Sequence, residues 1–268
     1  MKIIVPIKQV PETSRVKINE ETGTIIRDGV ENIINPLDLY AIESAIQLRE
    51  NHGGSITVIS MGPAKAETAL REAIAMGADQ AILISGKEFA GSDTWGTAYA
   101  LSALIETIKP FDLIITGERA TDGDTGQVGP GIASFLNLPL STYTGKIETV
   151  NKDHIIVQRL IEEGYERLQL PLPALLTVLK EIAYPRLPTL RGKQKARTID
   201  IPINSGKDIK VKEEELGLAG SPTRVVKIYR PQVTRKGTIL QAKDEKTLAE
   251  SVDQLISFLK EKKIISFE

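Results

Sequence analysis

The stretch Asp112-Leu-Ile-Ile-Thr-Gly-Glu-Arg-Ala-Thr-Asp-Gly-Asp-Thr-Gly-Gln-Val-Gly-Pro-Gly-Ile-Ala-Ser-Phe-Leu136 decides how this chain is read. Leu113, Ile114 and Ile115 are an unbroken apolar run, the pattern of a strand buried on both faces. The chain then turns dense in Gly, Asp and Thr, and Ile132-Ala-Ser-Phe-Leu136 reads as helix. A strand that feeds a glycine-rich turn into a helix N-terminus aims free backbone N–H groups at one point. Dipole and donors there favour an anion, most often phosphate. The spacing matches neither G-x-G-x-x-G nor G-x-x-x-x-G-K-[ST] and the stretch carries no lysine, so an ordinary βα turn with spare glycines stands beside the nucleotide reading.

Upstream, strand and helix alternate. Lys2 to Ile7 is a first strand, followed by a polar segment to Glu31 whose turn signals, Glu21-Thr-Gly and Arg27-Asp-Gly, predict a small hairpin. Asn35-Pro36 starts a helix, with Asn as N-cap and Pro at the first helical position. Leu39, Ile42 and Ile46 carry it to about Glu50. Ile56 to Met61 is a second strand, Gly62-Pro63 opens a helix over Ala64 to Met76, and Gly77 stops it. A third strand, Ala81 to Ile84, leads through a polar loop to a helix over Asp93 to Ile108. Such alternation argues a parallel sheet covered on both faces. Ligands bind such sheets beyond the strands' C-terminal ends, where the winding reverses. Pro6 to Gln9, Met61-Gly62-Pro63 and the Asp112 stretch all fall at or just after strand ends and share that edge.

Downstream of Leu138-Pro139 the elements shorten. Gly145 to Thr149, His154 to Leu160, Glu166 to Leu170 and Leu175 to Leu179 read as short strands forming an antiparallel extension. Tyr184 to Arg197 reads as an exposed basic loop, either a solvated connection or a docking loop with Leu187 and Leu190 as apolar anchors. Thr198 to Arg235 has little regular signal, which predicts that it lies on something else. Asp244 to Lys262 is a helix whose stripe of Leu248, Val252, Leu255 and Leu259 suits either this chain's own sheet or a partner's surface.

Composition narrows the chemistry. The chain has 268 residues, 41% of them hydrophobic, and a net charge of −1, so no nucleic-acid footprint is visible. No apolar run approaches the roughly 20 residues of a membrane span, and the N-terminus lacks a signal peptide's features, so the chain reads as cytoplasmic. Without cysteine there is no disulfide, thiolate or iron–sulfur chemistry. His52 and His154 stand far apart in polar surroundings, which argues against a metal site or a Ser/His/Asp set. Asp122 and Asp124 suit Mg²⁺, but turn formation explains them equally well. A nucleotide binder without an evident acid, base or nucleophile is best read as a cofactor carrier.

Several motifs then resemble one family. Met1-Lys-Ile-Ile-Val-Pro-Ile-Lys-Gln-Val-Pro11, Asp28-Gly-Val, Asn35-Pro36, Met61-Gly-Pro, Ala75-Met-Gly-Ala-Asp79, Asp122-Gly-Asp-Thr-Gly-Gln-Val-Gly-Pro130 and Leu190-Arg-Gly-Lys-Gln-Lys-Ala-Arg197 are similar, in order and spacing, to the beta subunit of electron-transferring flavoproteins. The resemblance implies an α/β fold with a doubly wound, Rossmann-like, adenine-nucleotide-binding parallel sheet, an antiparallel strand extension, and a C-terminal arm ending in a helix. It places a flavin-binding domain at 1–197, including a docking loop at 184–197, and an arm at 198–268 that packs on an alpha subunit carrying its own FAD.

In ordinary members the beta-subunit pocket holds structural AMP; in the electron-bifurcating branch it holds a second FAD that takes hydride from NADH. By resemblance the pocket maps onto Pro6, Asn35, Met61, Asp122, Gly123, Asp124, Thr125, Gly126, Gln127, Val128 and Gly129. Phe89-Ala-Gly-Ser-Asp-Thr-Trp95 is similar to the NADH-side loop of bifurcating members, with Ala90, Gly91, Ser92, Asp93 and Thr94 as candidate NADH contacts. Asp122-Gly-Asp-Thr125 also follows the bifurcating pattern, whereas Gly126, Gly131 and Trp95 depart from it. Leu190, Arg191 and Lys193 resemble the segment that docks a flavin dehydrogenase, of acyl-CoA, enoyl-CoA or lactate type. The implied function sends one electron through the alpha-subunit FAD to that dehydrogenase and the other to ferredoxin or flavodoxin. Two alternatives remain at this stage: an ordinary AMP-holding beta subunit, and a stand-alone nucleotide-binding sensor without a redox role.

Overall fold

The computed structural model describes residues 1–12, 17–18, 25–26, 31–226 and 237–265, in two separate compact units, Met1–Ile228 and Tyr229–Glu268. The first unit opens with β1 (Lys2–Pro6) and the short strands β2 (Gln9–Pro11), β3 (Lys17–Ile18), β4 (Ile25–Ile26) and β5 (Asn32–Ile34). β2 pairs antiparallel with β5, and β3 with β4. The turns expected at Glu21-Thr-Gly and Arg27-Asp-Gly, like the Asp28-Gly-Val motif, lie outside the described residues. Next come α1 (Pro36–His52), β6 (Ser55–Met61), a 3₁₀ turn at Ala64–Ala66, α2 (Glu67–Met76), β7 (Gln80–Ile84), a second 3₁₀ turn at Lys87–Phe89, α3 (Thr94–Thr107), β8 (Leu113–Gly117) and α4 (Val128–Phe135). The chain continues as β9 (Leu140–Val150), β10 (His154–Ile161), β11 (Gly164–Pro171), β12 (Ala174–Val178), α5 (Leu190–Thr198), β13 (Ile203–Asn204) and the helical turn α6 (Gly217–Gly220).

One sheet, in the order β11-β10-β9-β12-β8-β1-β6-β7-β13, organises this unit. β12, β8, β1, β6, β7 and β13 run parallel, and β9 runs parallel to β12. From β1 the chain winds outward through β6 and β7, then returns to lay β8 on β1's other side. The winding therefore reverses between β1 and β8. The strands alternate their side chains between two cores. Leu113 and Ile115 join Ile3, Val5, Ile42, Ile46 and Ile74 on the α1/α2 face. Ile114 joins Ile4, Ile59, Leu104 and Ile132 on the α3/α4 face. Each such fully buried aliphatic side chain contributes about 1.5–3 kcal/mol.

Two expectations need correction. Leu175 to Leu179 was expected within the antiparallel extension, yet the strand there, Ala174–Val178, lies parallel between β8 and β9, with Leu175 opposite Ile114 and Leu140. Its five residues are all buried, which suits a central parallel strand. Only β9, β10 and β11 form the antiparallel flank. The second half of the basic loop is a helix, α5, capped by the Thr189 side chain, which accepts from the Gly192 amide. α5 lies so close to α2 that a Cβ on Gly192 would collide with the Ala75 carbonyl. Further along, Ile203–Asn204 form β13, which pairs with β7.

The second unit is dominated by α7 (Glu245–Glu261), started by a capping box between Asp244 and Thr247. Its apolar stripe, as expected, lies on one face, and Leu248, Val252, Leu255 and Phe258 are exposed.

Candidate functional site

Beyond the C-terminal ends of β1 and β8, the chain segments converge through a few specific bonds. Asn35 was expected to cap α1, and it does precede the helix, but its side chain makes no cap bond. Instead its Nδ2 donates to the Arg119 carbonyl at 2.9 Å, and its Oδ1 accepts from the Thr121 amide at 3.1 Å. Its backbone N–H donates to the Lys8 carbonyl at 2.8 Å. One buried asparagine thus ties the end of β1 to the loop after β8.

That loop, residues 118–127, runs across the crevice. Asp122, Gly123, Asp124, Thr125 and Gln127 are exposed. Among the described residues nothing accepts from the amides of Gly123, Thr125, Gly126 or Gln127. Asp124 has φ +53° and Gly126 φ +63°, so two left-handed residues turn the chain before α4. α4 begins at Val128, four residues earlier than the apolar pattern indicated. Gly129 brings it down onto the sheet: a Cβ there would stand 2.7 Å from Thr177 Cγ2 and 2.8 Å from Thr116 Oγ1. Pro6 ends β1, buried, and Met61, partly buried, ends the adjacent β6. The pocket residues expected from the sequence therefore share one edge.

Three further residues of this edge, two of them within the stretches singled out in the sequence, were not named individually. The Lys8 Nζ reaches Asp122 Oδ1 at 2.7 Å, spanning the reversal point. Arg119 Nε reaches Asp124 Oδ1 at 2.7 Å, with Glu118 a further 3.6 Å contact of its guanidinium. Asp38, in the first turn of α1, is buried, and its Oδ2 accepts from the Lys8 amide at 2.7 Å. Burial pushes the Asp38 carboxyl up to about 7, against hydrogen bonds from the Lys8 amide, Asn35 and Gly117 and the attraction of Lys8. Gly117 is required beside it, since a Cβ there would overlap the carboxylate. A visible signal was an acid at a helix position flanked by apolar neighbours, Leu37 and Leu39.

The loop Ala90 to Thr94 sits at the start of α3 and is engaged by the chain's later segment. Asp93 Oδ1 caps α3 by accepting from the Trp95 and Gly96 amides. Its Oδ2 accepts from the Thr223 amide and hydroxyl at 2.9 and 2.7 Å. Against the push of burial, the Thr223 and α3 hydrogen bonds hold the Asp93 carboxyl below the usual range. Gly91, at φ +79°, makes its close approach to Leu218, and Ser92 bonds back to the Phe89 carbonyl. Ala90 accepts from the Leu218 amide. Thr94 reaches the main crevice, donating to Gln127 Oε1 at 3.0 Å. Trp95 stacks on Tyr99 and meets Phe135 edge-on, forming an aromatic patch between α3 and α4.

Leu190, Arg191 and Lys193 lie apart from the crevice, on α5 against α2, with Leu190 87% exposed. Arg71 of α2 holds this helix by donating to the carbonyls of Ala196 and Ile199. Before it, Arg186 grips α1 through Glu43 and Glu50, at 2.8 and 2.6 Å. A cleft of about 400 Å³ between α1 and β9, lined by Ser44, Gln47, His52, Lys146 and Glu148, lies toward the sheet's opposite edge and takes no part in the site. No described helix is long and apolar enough to cross a membrane.

Residues 22–204 match the model of the electron transfer flavoprotein domain. The chain is 46% identical over 266 residues to the electron transfer flavoprotein subunit beta of Thermoanaerobacterium thermosaccharolyticum, spanning 99% of this chain and 100% of that protein. It is 43% identical to the caffeyl-CoA reductase-Etf complex subunit CarD of Acetobacterium woodii, spanning 99% and 100%. The acryloyl-CoA reductase electron transfer subunit gamma of Anaerotignum propionicum is 39% identical, with 96% and 98% covered.

Proposed function

The chain belongs to the electron transfer flavoprotein family, in the line of its beta subunits, and on that premise we propose that its β1/β8 crevice holds an FAD that takes electrons from NADH and divides them between two acceptors. One electron passes to the FAD of an alpha subunit and on to a flavin dehydrogenase, the other to ferredoxin or flavodoxin. Bound FAD supplies the redox chemistry itself.

This chain's residues bind and orient. The amides of Gly123, Thr125, Gly126 and Gln127, unpaired among the described residues, with the α4 N-terminus behind them, suit a phosphate chain. Asn35 keeps that loop against β1, while Pro6 and Met61 form the floor. The observation that carries the reading is the Asn35-clamped loop at the point where the sheet's winding reverses. On the α3 side, NADH meets the loop at exposed Ala90 and Gly91 and at Thr94, while Asp93 serves to hold the loop in shape. Leu190, Arg191 and Lys193 offer an exposed apolar anchor among cations for the dehydrogenase. The bare stripe of α7 suits the alpha subunit. Support for the NADH-using branch over an AMP-holding one comes from the Asp122-Gly-Asp-Thr125 and Ala90–Thr94 motifs. Two relatives named as subunits of CoA-reductase systems add to it.

The test is anaerobic titration of the heterodimer with NADH. Bleaching of flavin absorbance without a dehydrogenase present supports the reading. A heterodimer whose flavin stays oxidised in excess NADH contradicts it.

A further inference from the structure

A phosphate cradle that presents two carboxylates, Asp122 and Asp124, poses an electrostatic problem, because like charges at close range repel. Each acid here carries its own cation. Lys8 Nζ lies 2.7 Å from Asp122 Oδ1, and Arg119 Nε 2.7 Å from Asp124 Oδ1. Both cations have fixed backbones and side chains held only by ion pairs. Asn35 bonds the Lys8 carbonyl through its amide and the Arg119 carbonyl through Nδ2. Asp38 holds the Lys8 amide as well. The side chains of Lys8 and Arg119 are about half exposed, at 48% and 46%.

We propose that Lys8 and Arg119 are the phosphate-binding cations of the crevice, stored in ion pairs with Asp122 and Asp124 that the phosphate of an adenine nucleotide displaces. This rests on the nucleotide reading of the preceding subsection and adds the residues that recognise the charge. The exchange is favourable for two reasons. Exposed ion pairs contribute little to stability, so releasing the carboxylates to water costs little. A phosphate offers more charge and more acceptor oxygens than a carboxylate, and the free amides of the loop reinforce it. Each pair offsets the charge of its cation, and the paired acids, with Glu118 3.6 Å from the Arg119 guanidinium, compete with the ligand. A pyrophosphate carries charge enough to engage both cations, and a nucleoside engages neither.

The experiment measures binding of AMP, ADP and adenosine to the full chain in its heterodimer, stripped of nucleotides. Lys8→Met and Arg119→Met are each expected to weaken AMP or ADP binding at least tenfold while leaving adenosine unaffected. Lys8→Arg is expected to retain binding. Asp122→Asn and Asp124→Asn, which remove the competitors, are expected to tighten ADP binding several-fold. Thermal melts of each variant report folding separately. Unchanged ADP affinity in both cation variants, or weakened affinity in the Asn variants, overturns the proposal while leaving the nucleotide site standing. A wild-type heterodimer that binds none of the three overturns the nucleotide reading and this inference with it.

Discussion

Asn35 Nδ2 donates to the Arg119 carbonyl at 2.9 Å, joining residues 84 positions apart in the chain across the point where the sheet's winding reverses. A residue that its position alone marks as a helix cap serves instead as the clamp of the crevice. Asn35→Ala removes this bond and the one from Thr121, and each neutral bond of this kind contributes about 0.5–1.5 kcal/mol. Nucleotide retention through purification is expected to fall sharply, with a much smaller drop in melting temperature. Full nucleotide occupancy in the variant would show that the loop holds its shape without the clamp.

Asp38 makes the fold sensitive to pH. Its carboxyl is held up near 7 in the folded chain against an ordinary value of 3.8, so the folded state keeps a proton that the unfolded state has lost. The resulting stability is present in full below the ordinary value and is lost as pH rises through about 7. Each pH unit of that window is worth about 1.4 kcal/mol, giving on the order of 4 kcal/mol at most. Denaturant melts between about pH 4.5 and pH 8 are expected to show Asp38→Asn losing this slope. An Asn variant that tracks the wild type at every pH would refute the assignment.

Arg186 anchors the segment that precedes α5. Glu43 is almost fully buried, and Arg186 provides its charged partner across 143 residues of sequence. Burial alone would raise the Glu43 carboxyl, but the Arg186 hydrogen bonds and charge hold it below the usual range. Arg186→Ala leaves that charge unpaired, for an expected loss of about 3–5 kcal/mol. Arg186→Ala with Glu43→Gln is expected to recover part of it. The comparison needs only urea melts of the two variants.

Leu190 is exposed and touches no core, so Leu190→Ala is expected to leave the melting temperature and flavin content unchanged. Reduction of the dehydrogenase by the reduced heterodimer is expected to slow several-fold, in line with losing one apolar anchor of a docking surface. Flavin loss in this variant would move Leu190 into the fold or the pocket.

Much of the architecture was legible because parallel strands buried on both faces are written as apolar runs. Leu113 to Ile115 is such a run, and Ile56 to Met61 is close to one, broken by Thr57 and Ser60; each lies where the pattern places it. Ala174–Val178 carries the same signature, yet its short links resemble a hairpin's, and chain proximity does not reveal which strands pair. α5 was invisible for another reason: Ala196 is its one buried residue, and it is held by Arg71 and by the close approach of Gly192 rather than by an apolar stripe. At the crevice, the glycine- and aspartate-rich loop was plain in the sequence. The pairings of Lys8, Arg119 and Asp38 were not, because they arise only when β1, α1 and β8 are brought together. The partners of Gly91 and Asp93, Leu218 and Thr223, lie more than a hundred residues away and carry no motif.

The most direct test of the central claim is a count of nucleotides released from the purified heterodimer. The account predicts two FAD per heterodimer and no AMP. One FAD together with one AMP would contradict it, leaving the crevice a structural nucleotide site.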